Sequence, residues 1–390
     1  MIPAAKRIKR RVIGRTHDFL ITTLPGFESL CFQEFRSFPN AVRNGRIIKG
    51  GMEFQGRLTD CYSANLYSRT GNRILMRIDD IQATRFSEFE KKISQIPWEL
   101  YLSPGSCISI RTTVHHSRLF HTKGISERIR SGITKSLNSD LTTSTGLLTK
   151  RQTLFVRGLD DRFTLSMDSS GENLYKRGLK VHVGAAPLRE TTAAGALLLA
   201  GYLGDLPVID PFCGSGTFSL EASLIAGNIP PGWFRSFAFV EWPSFRKESW
   251  NFLRRQAETT IRIAGKKPSI FASDINEATC LQLKERVDRF GLSDIISVSH
   301  IDFFDLDPKR ITPRKGFVTI NPPYGWRLET ESKSDLLVQA VADRLRSLYR
   351  GWKFILFTPE QNVQKMFAPS NRYRVPHGGR MVTLLIGEIR

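Results

Sequence analysis

The chain has 390 residues, 41% hydrophobic and 24% charged, the proportions of a folded globular protein rather than a disordered one. That length exceeds what one ordinary core accommodates, so two or three domains are expected. Lysine and arginine number 57 against 37 aspartate and glutamate, a formal charge of +20, and no apolar run is long enough to span a bilayer.

The basic excess is spread out, with 27 basic against 16 acidic residues up to position 172 and 30 against 21 after it. Such a balance suits a polyanion, although solubility or anionic lipid would account for charge alone. Cys31, Cys61, Cys107, Cys213 and Cys280 are odd in number and widely spaced with no CxxC pair, which points to a reducing, cytoplasmic setting and no structural metal.

Residues 1–17 read as a flexible basic arm for phosphates: Lys6, Arg7, Lys9, Arg10, Arg11 and Arg15 occur with no acid and no apolar signal-peptide core. An organellar transit peptide is the alternative. Strand-like FLITTL follows from Asp18 and runs through Pro25-Gly26 into ESLCFQEFRSF, where Leu30, Phe32, Phe35 and Phe38 roughly keep helical spacing.

Short apolar segments at 47–54 and 74–78 precede a helical stretch from Arg85 to Gln95. SCISIRTTV alternates as a strand, and the next segment sets five basic side chains and three histidines around helically spaced Ile125, Ile129 and Ile133. That helix face suits either solvent or nucleic acid. Strands TLFVRGL and RFTLSMDSS close an α+β region, divided as 18–60 and 61–170.

From residue 171 to 390 the pattern becomes strand, glycine-bearing loop and helix: PVIDPFCGSGTFSLEASLIAG, SIFASDINEATCLQLKERVDRFG, ISVSHIDFFDL and GFVTINPPYG. This alternation predicts an α/β domain with a parallel sheet covered on both faces. Buried VID ends at Asp210, and the loop Phe212, Cys213, Gly214, Ser215 and Gly216 opens a helix at Thr217. The glycines let backbone approach a ligand closely.

Asp274, followed by Ile275, ends the second strand, where a carboxylate can accept two hydrogen bonds from ribose hydroxyls. Asp302 and Phe303 follow the third strand, positioned to bond an adenine amino group and pack on its ring. Helix capping is the alternative for each acid. A dinucleotide site is disfavoured because DPFCGSGT lacks the GxGxxG order.

The fourth strand stops at Asn321-Pro322-Pro323-Tyr324. The prolines remove donors and stiffen the turn, so the Asn321 side-chain oxygen and the Pro322 carbonyl form an acceptor pair for an amino group conjugated with a base. Tyr324 can stack on that base once it is flipped out. Cys213 as a thiolate nucleophile is a competing route, but its place inside the glycine loop makes it a cofactor neighbour.

The series YKRG at 175–178, APLRETTAA at 186–194, DPFCGSGT at 210–217 and NPPYG at 321–325 resembles the THUMP-domain RNA methyltransferases, most closely the bacterial 23S ribosomal RNA guanine-N2 methyltransferases. The resemblance covers nearly the whole chain. It implies an N-terminal ferredoxin-like segment, a THUMP domain and a class I, Rossmann-like methyltransferase domain.

It also implies S-adenosylmethionine as methyl donor, guanine N2 as target, and Arg189, Glu190 and Thr191 beside the cofactor and target pocket. Some members carry a second methyltransferase domain, which the 65 residues after NPPYG do not accommodate. Members acting on transfer RNA share these motifs, NPPY is shared with DNA adenine-N6 methyltransferases, and a noncatalytic assembly factor is a further alternative. The segment 227–267 is expected to help shape the target pocket.

Overall fold

The computed structural model describes residues 3–39, 44–138, 151–179, 188–262, 269–322, 331–358, 369–377 and 380–390. The chain forms two compact units, one of Met1–Thr23, Cys31–Leu174 and Arg235–Arg254, the other of Leu24–Leu30, Tyr175–Phe234 and Arg255–Arg390.

The first unit holds β1 (His17–Thr23), β2 (Gly45–Ile48), β3 (Gly51–Gly56), β4 (Gly71–Gln82), β5 (Cys107–His115), β6 (Arg151–Leu159) and β7 (Arg162–Asp168). They make one sheet in the order β2-β3-β1-β4-β7-β6-β5, antiparallel except for the parallel pair β5 and β6. The residue-60 division therefore falls between strands of a single sheet. Alternate positions Phe19, Ile21, Ile74, Met76, Leu154, Val156, Leu165 and Met167 are buried, as the two-residue period of a half-covered sheet requires. Ile125, Ile129 and Ile133 of the helix Thr122–Leu137 are fully buried, which gives that helix its inner stripe.

Two features depart from expectation. The basic N-terminus is a short helix, Ala4–Ile8, continuing as a π-helical turn, Lys9–Ile13. It is pinned by buried Val12, by Arg7 on Glu99 at 2.6 Å and by the His17 ring against the Val12 carbonyl at 2.7 Å, so it is no flexible arm. The segment Arg235–Arg254 belongs to the first unit. Arg235 donates to the carbonyls of Ser170, Glu172 and Asn173, the Trp242 indole donates to Gln152 at 3.1 Å, and Phe239 stacks on Tyr62 at 4.4 Å.

The second unit holds β8 (Val208–Asp210), β9 (Ile270–Asp274), β10 (Ile296–His300), β11 (Phe317–Ile320), β12 (Lys353–Thr358), β13 (Ser370–His377) and β14 (Arg380–Glu388). Their order is β10-β9-β8-β11-β12-β14-β13. The first five are parallel, and β14 runs antiparallel to β12 and β13. Val208, Ile270, Phe317 and Ile355 enter one core with Leu197, Leu224 and Leu283, while Ile209, Val318, Ile320 and Leu356 enter another with Val341 and Leu345. Successive residues thus feed opposite faces, and helices cover both.

Strand order reverses between β8 and β11, which is where open α/β sheets leave a crevice at their carboxyl ends. These two strands approach closely. Phe317 donates to the Pro207 carbonyl at 2.8 Å, and a Cβ on Gly316 would lie 2.0 Å from that oxygen. Gly316→Ala is expected to lower stability by roughly 2 kcal/mol through overpacking against backbone; an unchanged denaturation midpoint would refute this account of the pairing.

Candidate active site

Four parallel strands deliver residues at or just past their ends to one cleft of about 490 Å³. Asp210 ends β8, Asp274 ends β9, Asp302 follows β10 and Asn321 follows β11; all four line the cleft with Phe212, Cys213, Gly214, Ser215, Thr217, Ile275 and Phe303. Pro322 is described but is not among the lining residues, and Pro323 and Tyr324 lie outside the described residues.

The loop after β8 is held against the end of β9. Cys213 donates its N–H to the Ser273 carbonyl at 3.0 Å. Gly214 donates to Asp274 Oδ2 at 2.9 Å, and Asn276 donates to Oδ1 at 3.0 Å. Two backbone donors therefore orient the half-buried Asp274 carboxylate while leaving acceptor capacity for a ligand. Gly214 has φ +48° with open space where a Cβ would be, whereas Gly216, at φ +77°, would drive a Cβ to 2.3 Å from Leu283. The first glycine leaves room in the loop, and the second serves helix packing.

Asp210 is 1% exposed and accepts from Ser219 through its N–H at 3.2 Å and its hydroxyl at 2.7 Å. It thereby anchors the N-terminus of the helix Thr217–Ala226. Asp302 accepts from the Phe304 N–H at 2.9 Å. Phe303 is only 1% exposed, with its ring near Phe212, Phe304 and Tyr349, so most of its surface serves the core. Ile275, at 69% exposure, offers the larger apolar surface.

Arg189, Glu190 and Thr191 do not line the cleft, although Leu188 beside them does. Arg189 is the N-cap of the helix Glu190–Leu199, with its guanidinium 5.2 Å from the Tyr175 ring centroid, and Thr191 is fully buried. No described residue of 227–267 lines the cleft. Sequence reasoning missed Leu337, contributed by the helix Glu331–Leu348, which carries no motif. It also missed Asn276, which accepts from Thr279 at 3.0 Å as an N-cap visible in INEAT.

Cys213 is 6% exposed, and burial, with Asp210 and Asp274 nearby, pushes its thiol far above the ordinary range. A neutral thiol is a poor nucleophile, so the arrangement disfavours thiolate attack. Among the described residues, no group of three or more His, Cys, Asp or Glu could hold a metal ion, and no helix is long and apolar enough to cross a membrane.

A parallel sheet with this strand order, a glycine loop after its central strand and acids at the next two strand ends defines a Rossmann-like methyltransferase fold. The chain belongs to the RMKL-like methyltransferase-domain family, which matches residues 177–381, and residues 18–75 match the RlmL ferredoxin-like domain. That match carries the ferredoxin-like region past residue 60.

A Synechocystis sp. protein whose name proposes an RNA methyltransferase is 29% identical over 379 residues, 96% of this chain and 97% of that protein. The ribosomal RNA large subunit methyltransferase K/L of Methylococcus capsulatus is 29% identical over 352 residues, 88% of this chain and 47% of that protein, so this chain spans about half of its length. A protein solved with S-adenosylhomocysteine shares the fold at a TM-score of 0.83 and 24% identity, covering 96% of this chain and 99% of that one. A predicted N6-adenine-specific DNA methylase of Listeria monocytogenes superposes at 0.81 with 26% identity, covering 96% of each chain.

Burial raises the Asp210 carboxyl from its ordinary 3.8 to about 6, against the hydrogen bonds from Ser219. The folded state holds this proton more tightly, so the contribution to stability is full below about pH 3.8 and is lost as pH rises through about 6. Asp210→Asn keeps an acceptor for Ser219 without titrating. Its stability relative to the parent should climb from about pH 3.8 to 6 and then level off; denaturation midpoints whose difference ignores pH would contradict this.

Proposed function

We propose that this chain is an S-adenosylmethionine-dependent methyltransferase acting on the exocyclic N2 of a guanine in 23S ribosomal RNA. The observation that carries the reading is the convergence of Asp210, Asp274, Asp302 and Asn321 on one cleft at the reversal of strand order.

The residues present fit the cofactor. Asp274 is a carboxylate preset by two backbone donors and would accept from ribose hydroxyls. Asp302 would accept from the adenine amino group, exposed Ile275 would cover the ring, and the loop from Phe212 to Thr217, with Leu188 beside it, would receive the amino-acid end. Arg189, Glu190 and Thr191 support this wall from the adjoining helix. When bound, the cofactor supplies an electrophilic methyl group on sulfur.

The chain's own part is positioning. The Asn321 side-chain oxygen and the Pro322 carbonyl accept the two amino protons and aim the nitrogen, while Pro323 stiffens the turn and Tyr324 stacks on the flipped base. Conjugation draws the nitrogen's lone pair into the ring and the two hydrogen bonds return electron density to it; once the methyl–nitrogen bond has formed, the nitrogen gives up one of its protons to solvent.

The +20 charge suits either nucleic acid, and structured RNA is favoured over DNA by the ferredoxin-like region. Of residues 61–170, we assign the part beyond the ferredoxin-like match, after residue 75, to a THUMP domain that grips RNA by shape and phosphates, in a protein working in the cytoplasm. Transfer RNA is the second substrate reading, carried by the shared motifs.

The test supplies methyl-labelled S-adenosylmethionine with ribosomal RNA, transfer RNA or DNA, followed by mass spectrometry of the nucleosides. Label should appear as N2-methylguanosine in ribosomal RNA. Asn321→Ala should cut turnover at least about a hundredfold with cofactor binding nearly unchanged. Label confined to DNA adenine, or full turnover by Asn321→Ala, would overturn the reading.

A further inference from the structure

Between β5 and the helix Thr122–Leu137 the chain makes a loop that projects an aromatic ring into solvent. Phe120 is 64% exposed while its neighbour Leu119 is 5% exposed. The Phe120 and His121 rings lie with centroids 4.2 Å apart at 36°. An exposed large apolar residue on a floppy loop needs no explanation. This loop, however, is tied at several points.

Arg118 donates its N–H to Asp161 Oδ1 at 2.6 Å, Asp161 donates its own N–H to Ser117 Oγ at 3.0 Å, and the Ser117 hydroxyl bonds the His115 carbonyl at 3.0 Å. His116 adopts a left-handed conformation, φ 49°, which is uncommon for a residue with a side chain, though histidine enters it more readily than most. Buried Leu119 completes the anchoring. The loop fixes Phe120 outward rather than leaving it there by default.

The loop's own charged side chains are basic, with Asp160 and Asp161 of the neighbouring turn beside it. No carboxylate occurs between Glu99 and Glu127, a stretch that holds Arg111, His115, His116, Arg118, His121 and Lys123. Asp161 is engaged by the loop, and its ion pair with Arg118 is long, at 3.9 Å. The helix that starts at Thr122 has no acid in its first turn and no side-chain cap, so its N-terminal dipole adds to the positive field. Arg157, exposed on β6, pairs across from Thr113, two residues before His115.

An outward, preset aromatic ring flanked by Arg118 and Lys123 matches the chemistry of a nucleotide with an unstacked base: the ring for the base face, the two cations and the helix start for the flanking phosphates. We propose that Phe120, backed by His121, is a stacking site for an unpaired nucleobase of the RNA substrate, with Lys123 and Arg118 on its phosphates. This rests on the RNA reading above and adds to it a contact for single-stranded RNA made by the first unit, with residues other than those of the methyl-transfer cleft.

The experiment uses the full chain and fluorescence anisotropy with two probes, a labelled single-stranded oligoribonucleotide and a blunt RNA duplex, over a range of salt. Phe120→Ala should weaken the single strand roughly tenfold, Phe120→Trp should restore it, and the duplex should change by less than about twofold. The salt slope should be unchanged in both Phe120 variants and reduced in Lys123→Ala. Single-strand affinity equal to the parent's in Phe120→Ala, or equal losses on both probes, would overturn the stacking site while leaving the RNA reading in place. Failure of the parent to bind either RNA would instead sink the RNA reading, and the stacking site with it. Because Phe120 is exposed, circular dichroism matching the parent's is expected for each variant.

Discussion

The parallel pairing of β8 with β11 is the constraint on which the site depends. Among the described strands it is there that neighbouring connections lead away in opposite directions, and a sheet of this kind leaves a crevice beyond the carboxyl ends at such a point. The approach is close enough to exclude a side chain at Gly316, since the Pro207 carbonyl occupies the space a methyl would need. Asp210 and Asn321 come to one cleft because those strands are in register, with Phe317 opposite Val208 and Val318 opposite Ile209.

The acids around the cleft divide the work according to burial. Asp210 is enclosed and bonded to Ser219, so it fixes the start of a helix. Asp274 and Asp302 are partly open, the first oriented by two backbone donors and the second by one. A carboxylate so held need not lose side-chain freedom on meeting a ligand, which favours binding. Asn321 follows a strand, Phe317–Ile320, that is buried throughout, so its position is set by packing on both sheet faces.

Much of this was legible because it is local. The buried runs before Asp210, Asp274 and Asn321 and the helix through Ile125, Ile129 and Ile133 declare themselves by period and punctuation. The exchange of Leu24–Leu30 and Arg235–Arg254 between the units was not legible, since it depends on distant partners such as Gln152 and Tyr62. The π-helical turn near the N-terminus was hidden by its charge, which outweighs its one buried apolar residue, Val12, in composition. Phe303 looked like a surface for a ring, yet only the fold shows that it is enclosed. Leu337 reaches the cleft from a helix whose sequence carries no chemical signal.

The cleft's function depends on its holding a nucleoside-bearing cofactor through Asp274. Calorimetric titration of the full chain with S-adenosylhomocysteine tests that most directly. Saturable binding that weakens by about a hundredfold in Asp274→Ala, the loss expected for two hydrogen bonds to a charged acceptor, is the predicted result. Equal affinity in parent and variant, or no binding by the parent, would contradict it.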